Sequence, residues 1–317
     1  MSDSIFGEYY SPHTFEDRLA QNSAGAIDVI IPIIHTNELW RANLTSIFRE
    51  IPVRRLLIAD GGCKDDSIAI ARSFPRVEVF DHREYRSLGF SLRKLIEAVE
   101  SEWFAYLHSD VYLPPGWFEA MKAHQKEYDW FGCPQRITAL VEYPSADFIG
   151  SEVRPHAGSQ MGRKEAFLPG LPEIEDDYVY RQEDLVLRNL VEKHGFKSGN
   201  VEDIFHFHQV MHKISPWARK LTSVSVRVAW SREEEERACM TQIKGIIKYL
   251  EPSPVLALHV EDNLKRLLEL NAITQAEFDE WVLQTKPIWK QAIKPWRVKR
   301  VMALDSARKR WRSLFRA

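Results

Sequence analysis

The sequence contains little cysteine. Its three cysteines, Cys63, Cys133 and Cys239, are spread over 317 residues, and no two of them form a C-x-x-C pair. An odd number of distant cysteines disfavours a disulfide framework and favours a reducing compartment. The missing C-x-x-C pair also disfavours a structural zinc site.

Long apolar runs are missing as well. No window approaches the roughly 18 consecutive apolar residues that a membrane-spanning helix needs. The opening M-S-D-S-I-F-G-E-Y-Y lacks the basic start and apolar run of a signal peptide. We therefore expect a cytoplasmic protein that does not cross a membrane. The formal net charge is only −2, so no nucleic-acid partner is expected.

Three common catalytic loops are absent from the chain. Without G-x-x-x-x-G-K-[ST] the protein is not a P-loop nucleotide hydrolase, and without G-x-G-x-x-G it carries no dinucleotide fingerprint. Without G-x-S-x-G there is no nucleophilic serine on a strand-to-helix turn. A nucleotide, if one binds, must be held without any of these loops.

Apolar runs of strand length alternate with segments of helical spacing in the first part of the chain. The runs lie at 27–34, 54–59, 77–80 and 103–107, and helical spacing follows at 37–48, 67–73, 88–99 and 117–125. This alternation predicts an α/β domain built on a mostly parallel, doubly wound sheet.

The alternation then stops. Residues 144–172 are rich in Gly, Pro and Ser, which predicts a long segment without regular structure. A helix is predicted at 178–194, and a final strand at 197–207 that ends in H-F-H. Helical patterns recur after residue 215, so we predict a domain of residues 1–215 followed by an all-helical region of residues 216–317.

Carboxylates and imidazoles follow the predicted strands of the first domain. They form four groups, Asp60-Gly61-Gly62, His108-Ser109-Asp110, Glu183-Asp184 and His206-Phe207-His208. Ligands of an open α/β sheet bind at the carboxyl ends of its strands. Carboxylate and imidazole side chains at this edge suit a divalent cation that also holds phosphate oxygens.

Each of these groups also has a purely structural interpretation. Asp60 and Asp110 are ordinary residues of strand-ending turns. Glu183 and Asp184 stand at the start of a predicted helix, where acidic side chains are favoured by the helix dipole. At least one of the two histidines, His206 or His208, is expected to serve packing.

The order of motifs resembles a family 2 glycosyltransferase with the GT-A fold. The resemblance covers residues 27–208, and its motifs are V-I-I-P-I-I at 29–34, L-I-A-D-G-G-C-K-D-D-S at 57–67, L-H-S-D-V-Y-L-P-P-G-W at 107–117, R-Q-E-D-L-V-L-R-N-L at 181–190 and H-F-H at 206–208. The resemblance implies an inverting transfer of a sugar from a nucleotide-diphosphate sugar to a hydroxyl acceptor, assisted by Mn²⁺ or Mg²⁺.

The resemblance also implies roles for individual residues. Asp184 would be the general base, with Glu183 beside it. Asp110, at the last position of the D-x-D motif, would bind the metal, and His208 or His206 would be a further ligand of the metal or of a phosphate. The nucleotide-sugar would contact Pro32, Ile34, His35, Asp60, Gly61, Arg93, Lys94 and Ser109.

The sequence departs from the family pattern at the metal motif. His108 stands where the first aspartate of D-x-D is expected, which lowers the local negative charge and weakens ion binding. The alternative is therefore a catalytically weak or inactive protein that binds sugar nucleotides or acts as a scaffold. His35 and Lys94 also replace frequent asparagines, which puts the donor in question.

The end of the chain is strongly basic. Residues 290–317 contain ten Lys or Arg residues against one acid, Asp305. Over residues 296–317 the apolar positions, including Trp311 and Phe315, fall on one helical face. A basic amphipathic helix of this kind favours an anionic membrane surface, and a lipid-linked glycan or surface polysaccharide precursor as acceptor. The alternative is a helix that packs on its own domain.

Overall fold

The computed structural model describes residues 15–34, 36, 39–85, 87–139, 153–154, 158–176, 183–210, 232–249 and 254–290. The chain divides into two compact units, Met1–Ser215 and Pro216–Ala317. The predictions for His35 and for the basic segment 296–317 lie outside the described residues.

A seven-stranded sheet forms the centre of the first unit, in the order β10-β6-β9-β4-β1-β2-β3. Its strands are β1 (Ile27–Ile33), β2 (Val53–Asp60), β3 (Val77–Asp81), β4 (Trp103–Leu107), β6 (Trp130–Gly132), β9 (Ser159–Arg163) and β10 (Ser198–Asn200). β9 runs antiparallel to β4 and β6, whereas β1 pairs in parallel with β2 and β4. The predicted α/β class with a mostly parallel sheet is confirmed.

Helices connect the parallel strands as the periodicity predicts. In the first unit they are α1 (Arg18–Gln21), α2 (Trp40–Glu50), α3 (Ser67–Arg72), α4 (Leu88–Ala98), α5 (Trp117–Ala123), α6 (Lys164–Phe167) and α7 (Glu183–Lys193). β1 is almost completely buried, which explains its unbroken apolar run. Trp40 of α2 and Trp117 of α5 are fully buried in the core around this strand.

The segment predicted to be irregular contains a central strand instead. β9, within the predicted irregular region 144–172, has the polar sequence S-Q-M-G-R and lies between β4 and β6. Gly162 makes this possible, because a Cβ there would lie 2.8 Å from both Phe167 and Trp130. Glycine thus allows aromatic rings to cover the strand, a reason that hydrophobic periodicity does not reveal.

The predicted strand 197–207 is in fact two strands in different sheets. β10 belongs to the large sheet, whereas β11 (His206–Val210) joins a four-stranded sheet in the order β5-β11-β7-β8. The other members are β5 (Val111–Tyr112), β7 (Gln135–Ala139) and β8 (Val153–Arg154). H-F-H therefore begins a strand rather than ending one, because the chain leaves β6 after Val201 and pairs with β7 from His206 onward.

The described part of the second unit is helical, as predicted. It consists of α8 (Arg232–Tyr249), α9 (Pro254–Glu269) and α10 (Gln275–Lys290). Ile243 and Ile246 of α8 are buried, as are Leu264 and Leu267 of α9. Among the described residues, no helix combines the length and apolar character that crossing a membrane requires.

Candidate metal centre and catalytic site

The strand ends of both sheets meet around the turn that follows β4. β5 begins only a few residues after β4 and pairs antiparallel with β11, so that Val111 lies opposite His208. This register places His208 beside Asp110, although the two residues are far apart in sequence. Asn43 lies on α2 and donates its Nδ2–H to the Ser109 carbonyl over 2.8 Å, which holds the turn in place. The turn His108-Ser109-Asp110 is called the β4 turn below.

Three side chains at the β4 turn converge as metal ligands can. Within the described residues, a group of three side chains can each offer one ligand atom, and these atoms all lie within 4.8 Å of one another; the three are His108, Asp110 and His208. His208 Nε2 is 3.0 Å from Asp110 Oδ2. Two imidazoles and a carboxylate are a donor set that divalent transition ions accept, so these residues fit a bound metal.

The carboxyl group of Asp110 is held in its ionised form. Burial would raise its pKa, but the neighbouring His208 and His108 outweigh that effect and lower the pKa to about 2. An ionised carboxylate beside two imidazoles is able to bind a cation in place of a proton.

Behind the β4 turn, His108 belongs to a buried network with Tyr106 and Glu183. Tyr106 donates its hydroxyl to Glu183 Oε1 over 2.9 Å, and His108 Nε2 lies 3.2 Å from the same oxygen. His108 Nε2 is also 3.0 Å from the Tyr106 hydroxyl. Burial lowers the pKa of His108, but the hydrogen bond and charge of Glu183 raise it above its ordinary value overall. The same contact lowers the pKa of the Glu183 carboxyl against the effect of its burial.

Asp184 differs from its neighbour in ionisation. Both residues lie in the first turn of α7, but Glu183 is buried whereas Asp184 is half-buried. Burial, and next the charge of Glu183, raise the pKa of Asp184 to about 6. An acid with this pKa can accept a proton near neutral pH, whereas Glu183 is already engaged with His108.

His206 lies outside the group that can hold a metal. It is completely buried, and its Nδ1 is 2.8 Å from Ser159 Oγ and 3.5 Å from Cys133 Sγ. Gly158, at φ +100°, separates it from the β4 turn, because a Cβ there would lie 3.3 Å from His206 Nε2 and 3.5 Å from His108 Nδ1. The structure therefore brings His108 to Asp110 and His208, in the place where the sequence predicted His206.

A second group of predicted residues gathers at the ends of β1 and β2. Asp60 Oδ1 accepts hydrogen bonds from the backbone of Gly62 (2.9 Å) and Cys63 (2.8 Å). Gly61 donates its N–H to the Ile33 carbonyl over 2.8 Å, and a Cβ at Gly61 would lie 2.4 Å from Ile34 Cγ2. Pro32 and Ile34 are half-buried beside it. The residues Asp60–Cys63 are called the β2 loop below.

Arg93 and Lys94 are held on α4 by its own residues. Arg93 Nε and Lys94 Nζ each bind Glu97 over 2.8 Å, and Arg93 Nη1 donates to the Ile174 carbonyl over 2.8 Å. The single carboxylate of Glu97 balances only one of these two positive charges. Both side chains keep further N–H donors that could contact a phosphate.

Two residues of the site were not predicted. Tyr106 could have been found, because it lies on β4 two residues before His108, which directly follows the strand, and alternate residues point to the same face. Gln135, whose Oε1 accepts a hydrogen bond from His208 Nδ1, could not have been found from the sequence pattern. Its place depends on the pairing of β7 with β11, two segments that are distant in sequence.

Comparison with known proteins identifies the class of the first unit. Residues 28–162 match the family model described as glycosyl transferase family 2. The matched segment contains the β2 loop and the β4 turn but neither α7 nor β11. The resemblance inferred from the motifs is confirmed, and this part of the chain is a family 2 glycosyltransferase domain.

One solved structure shows the same fold at low sequence identity. Residues 1–349 of TarS from S. aureus, in complex with UDP-GlcNAc, align with a TM-score of 0.50 and 11% identity, covering 82% of this chain and 80% of that chain. A mannosyltransferase from Pyrobaculum calidifontis, in complex with GDP-Man and Mn²⁺, gives a TM-score of 0.47 and 12% identity over 88% and 84% of the two chains. No curated protein sequence matches the chain.

Proposed function

We propose that this glycosyltransferase is an inverting, metal-dependent enzyme that moves a sugar from a nucleotide-diphosphate sugar to a hydroxyl acceptor. The observation that carries the proposal is the convergence of His108, Asp110 and His208 at the β4 turn, beside the acidic pair that opens α7. Asp110 stays ionised beside two imidazoles, and Asp184 has a pKa of about 6. The first suits cation binding and the second suits proton transfer.

The metal would be held by Asp110 and His208, with His108 as a third ligand. A bound Mn²⁺ or Mg²⁺ supplies a Lewis acid that stabilises the charge developing on the leaving diphosphate. His206, packed against Ser159, supports the strand that carries His208.

Asp184 would be the general base for the acceptor. An acceptor hydroxyl has a pKa far above 7, so its proton must be removed as the reaction proceeds. The acceptor oxygen forms its bond to the anomeric carbon while the bond from that carbon to the diphosphate breaks, and the proton passes to Asp184. A single direct displacement of this kind inverts the anomeric configuration.

The β2 loop and the end of β1 would hold the nucleotide. Asp60, Gly61, Pro32 and Ile34 are brought together there. The β4 turn lies at the same edge of the sheet, because β1 pairs in parallel with both β2 and β4. His35, Arg93 and Lys94 complete the proposed donor contacts. The UDP-GlcNAc in the TarS structure supports a nucleotide-diphosphate sugar as the class of donor.

The acceptor is proposed from the basic segment 296–317. Its charge and its apolar face suit the inner, anionic surface of a membrane, where a cytoplasmic enzyme would meet a lipid-linked glycan or polysaccharide precursor. Flotation with anionic vesicles should depend on residues 296–317. Equal flotation of the full chain and a chain lacking these residues would contradict the proposed membrane contact.

The experiment that tests the function uses a panel of UDP-, GDP- and dTDP-sugars. One donor should raise the melting temperature, since ligand at about 100 times its dissociation constant stabilises a protein by about 2.7 kcal/mol. That donor should be turned over with Mn²⁺ but not with EDTA. Binding without hydrolysis or transfer to any acceptor would favour the alternative, an inactive protein that binds sugar nucleotides.

A further inference from the structure

The hydrogen bonds behind the two histidines at the β4 turn determine which ring nitrogens face Asp110. His208 Nδ1 is bound to the Gln135 side-chain oxygen, which can only accept a hydrogen bond. Nδ1 therefore carries a proton. Nε2, which is 3.0 Å from Asp110 Oδ2, is the nitrogen that can bind an ion in place of a proton.

His108 has the opposite arrangement of its two nitrogens. Its Nε2 lies 3.2 Å from Glu183 Oε1, and Tyr106 also donates its hydroxyl to that oxygen. An ionised carboxylate can only accept, so the proton of His108 is on Nε2. Nδ1, on the side of the ring near Gly158, is then the nitrogen of His108 that can bind an ion.

Without an ion, the 3.0 Å between His208 Nε2 and Asp110 Oδ2 is a hydrogen-bond distance, at which a protonated Nε2 donates to the carboxylate. A metal ion can take the place of that proton. Donors about 2.1 Å from one ion and at right angles to each other lie about 3.0 Å apart, which agrees with the separation found here.

We propose that Glu183 and Gln135 are positioning residues that orient two imidazoles toward one cation, and that the site therefore selects a transition ion that accepts nitrogen ligands over Mg²⁺. The inference rests on the proposed metal site and narrows the range of ions that the site is expected to bind. Mg²⁺ prefers oxygen ligands and loses its waters reluctantly, whereas imidazole suits later ions of the first transition row. Affinity should rise in the order Mg²⁺, Mn²⁺, Co²⁺.

His108 is the residue that sets this preference. An aspartate in its place would give the two carboxylates of a D-x-D motif and a site richer in oxygen. His108→Asp should therefore reduce the difference in affinity between Mn²⁺ and Mg²⁺ and weaken Co²⁺ binding. His194→Gln is the matched control, because His194 pairs with Glu173 at the other end of α7.

The test is calorimetric titration of the metal-free full chain with Mg²⁺, Mn²⁺ and Co²⁺, with pulsed EPR of bound Mn²⁺. Wild type should bind Mn²⁺ at least about tenfold more tightly than Mg²⁺ and show two imidazole nitrogens coupled to the ion. One coupling should disappear in His108→Asp and both should remain in His194→Gln. Equal affinity for Mg²⁺ and Mn²⁺, or no nitrogen coupling, would overturn the proposal.

The positioning role has its own variants. Glu183→Gln keeps an oxygen that accepts from His108 and should retain Mn²⁺ affinity within a few-fold. Glu183→Leu should lose about 10- to 100-fold, the usual effect of removing the acceptor behind a metal-binding histidine. Gln135→Leu provides the same test at His208 if Glu183→Leu does not fold. Equal affinity in the Leu and Gln variants would contradict the role.

The outcomes separate this inference from the proposed function. Nitrogen-coupled Mn²⁺ in a protein that transfers no sugar would refute the function and leave the inference in place. Sugar transfer that runs equally well with Mg²⁺, without nitrogen coupling, would refute the inference and leave the function in place.

Discussion

The β2 loop and the β4 turn both place an aspartate at the end of a parallel strand, but the two aspartates are held in different ways. Asp60 is satisfied by the backbone of the next few residues. Asp110 is paired with His208, a residue 98 positions away. The β2 loop is thus a local structure that its own sequence can form. The β4 turn becomes a site only when a second sheet has assembled around it.

This difference assigns the two regions different tasks. A self-contained loop can hold a nucleotide in one conformation before any other ligand arrives. A site assembled from distant segments, with two imidazoles and two acids close together, can respond to a cation and to protons. The predictions below separate these tasks and run from the largest expected effect to the smallest.

The largest loss is expected from Asp184→Asn, beside the β4 turn. Removing a general base commonly costs about 10²–10⁴ in rate, so kcat should fall by this factor while donor binding changes little. Initial rates and donor titrations of the two proteins provide the measurement. A kcat near wild type would show that Asp184 is not the base.

Asp110→Asn should cause the second-largest loss of catalytic rate. Loss of one pre-organised charge partner of the transition state costs about 10²–10³ in rate. Mn²⁺ affinity should fall with it, because His208 would then face an amide instead of a carboxylate. Calorimetry and steady-state kinetics on the same sample test the pair of effects. Unchanged Mn²⁺ binding would mean that the ion is held elsewhere.

The pH dependence should report Asp184. A general base works when it is deprotonated, so the rate should fall as pH decreases through about 6, the pKa set by burial and by Glu183. Well below that pKa the loss is about tenfold per pH unit. Glu183 and His108, whose charges also act on Asp184, remain in place in this experiment. A rate that stays flat from pH 7 to pH 5 would contradict the assignment.

Gly61→Ala tests the β2 loop by steric crowding. The new Cβ would lie 2.4 Å from Ile34 Cγ2, so the loop or the end of β1 must move. Overpacking of this kind costs about 1–3 kcal/mol of stability. Denaturant unfolding should show that loss, and donor affinity should fall while metal-ion affinity does not. An equal loss of affinity for the donor and for the metal ion would show that the β2 loop and the β4 turn do not act independently.

The smallest effect on stability is expected from Asp60→Asn. The amide oxygen can still accept from Gly62 and Cys63, so the free energy of unfolding should change by about 1 kcal/mol or less. Donor affinity should nevertheless fall if Asp60 contacts the base or ribose through its charge. Unchanged donor affinity would make Asp60 a turn residue only.

The same contrast explains what the sequence could predict. The β2 loop was recognisable because Asp60, Gly61 and Gly62 are adjacent and follow an apolar strand. β1, β2 and β4 were predicted because buried central strands leave nearly unbroken apolar runs, whereas the partly exposed edge strand β3 was predicted from its position between two helical segments. β9 was missed, because its sequence is polar and Gly162 allows aromatic rings to cover it.

At the β4 turn the sequence supplied the residues but not their arrangement. Asp110, Glu183 and His208 were all named, yet His108 was treated as a departure that weakens the metal motif. In the structure His108 shares the group with Asp110 and His208, while His206 packs against Ser159. Only the pairing of β11 with β5 and β7 decides which histidine faces the acid, and that pairing depends on contacts distant in sequence.

The central claim is that the β2 loop and the β4 turn act on the two ends of one nucleotide-diphosphate ligand. The most direct test is titration of wild type with the active donor in the presence and absence of Mn²⁺. The ion should tighten donor binding at least about fivefold, a coupling of about 1 kcal/mol, and the donor must tighten Mn²⁺ binding by the same factor. Equal donor affinity with and without Mn²⁺ would contradict the claim.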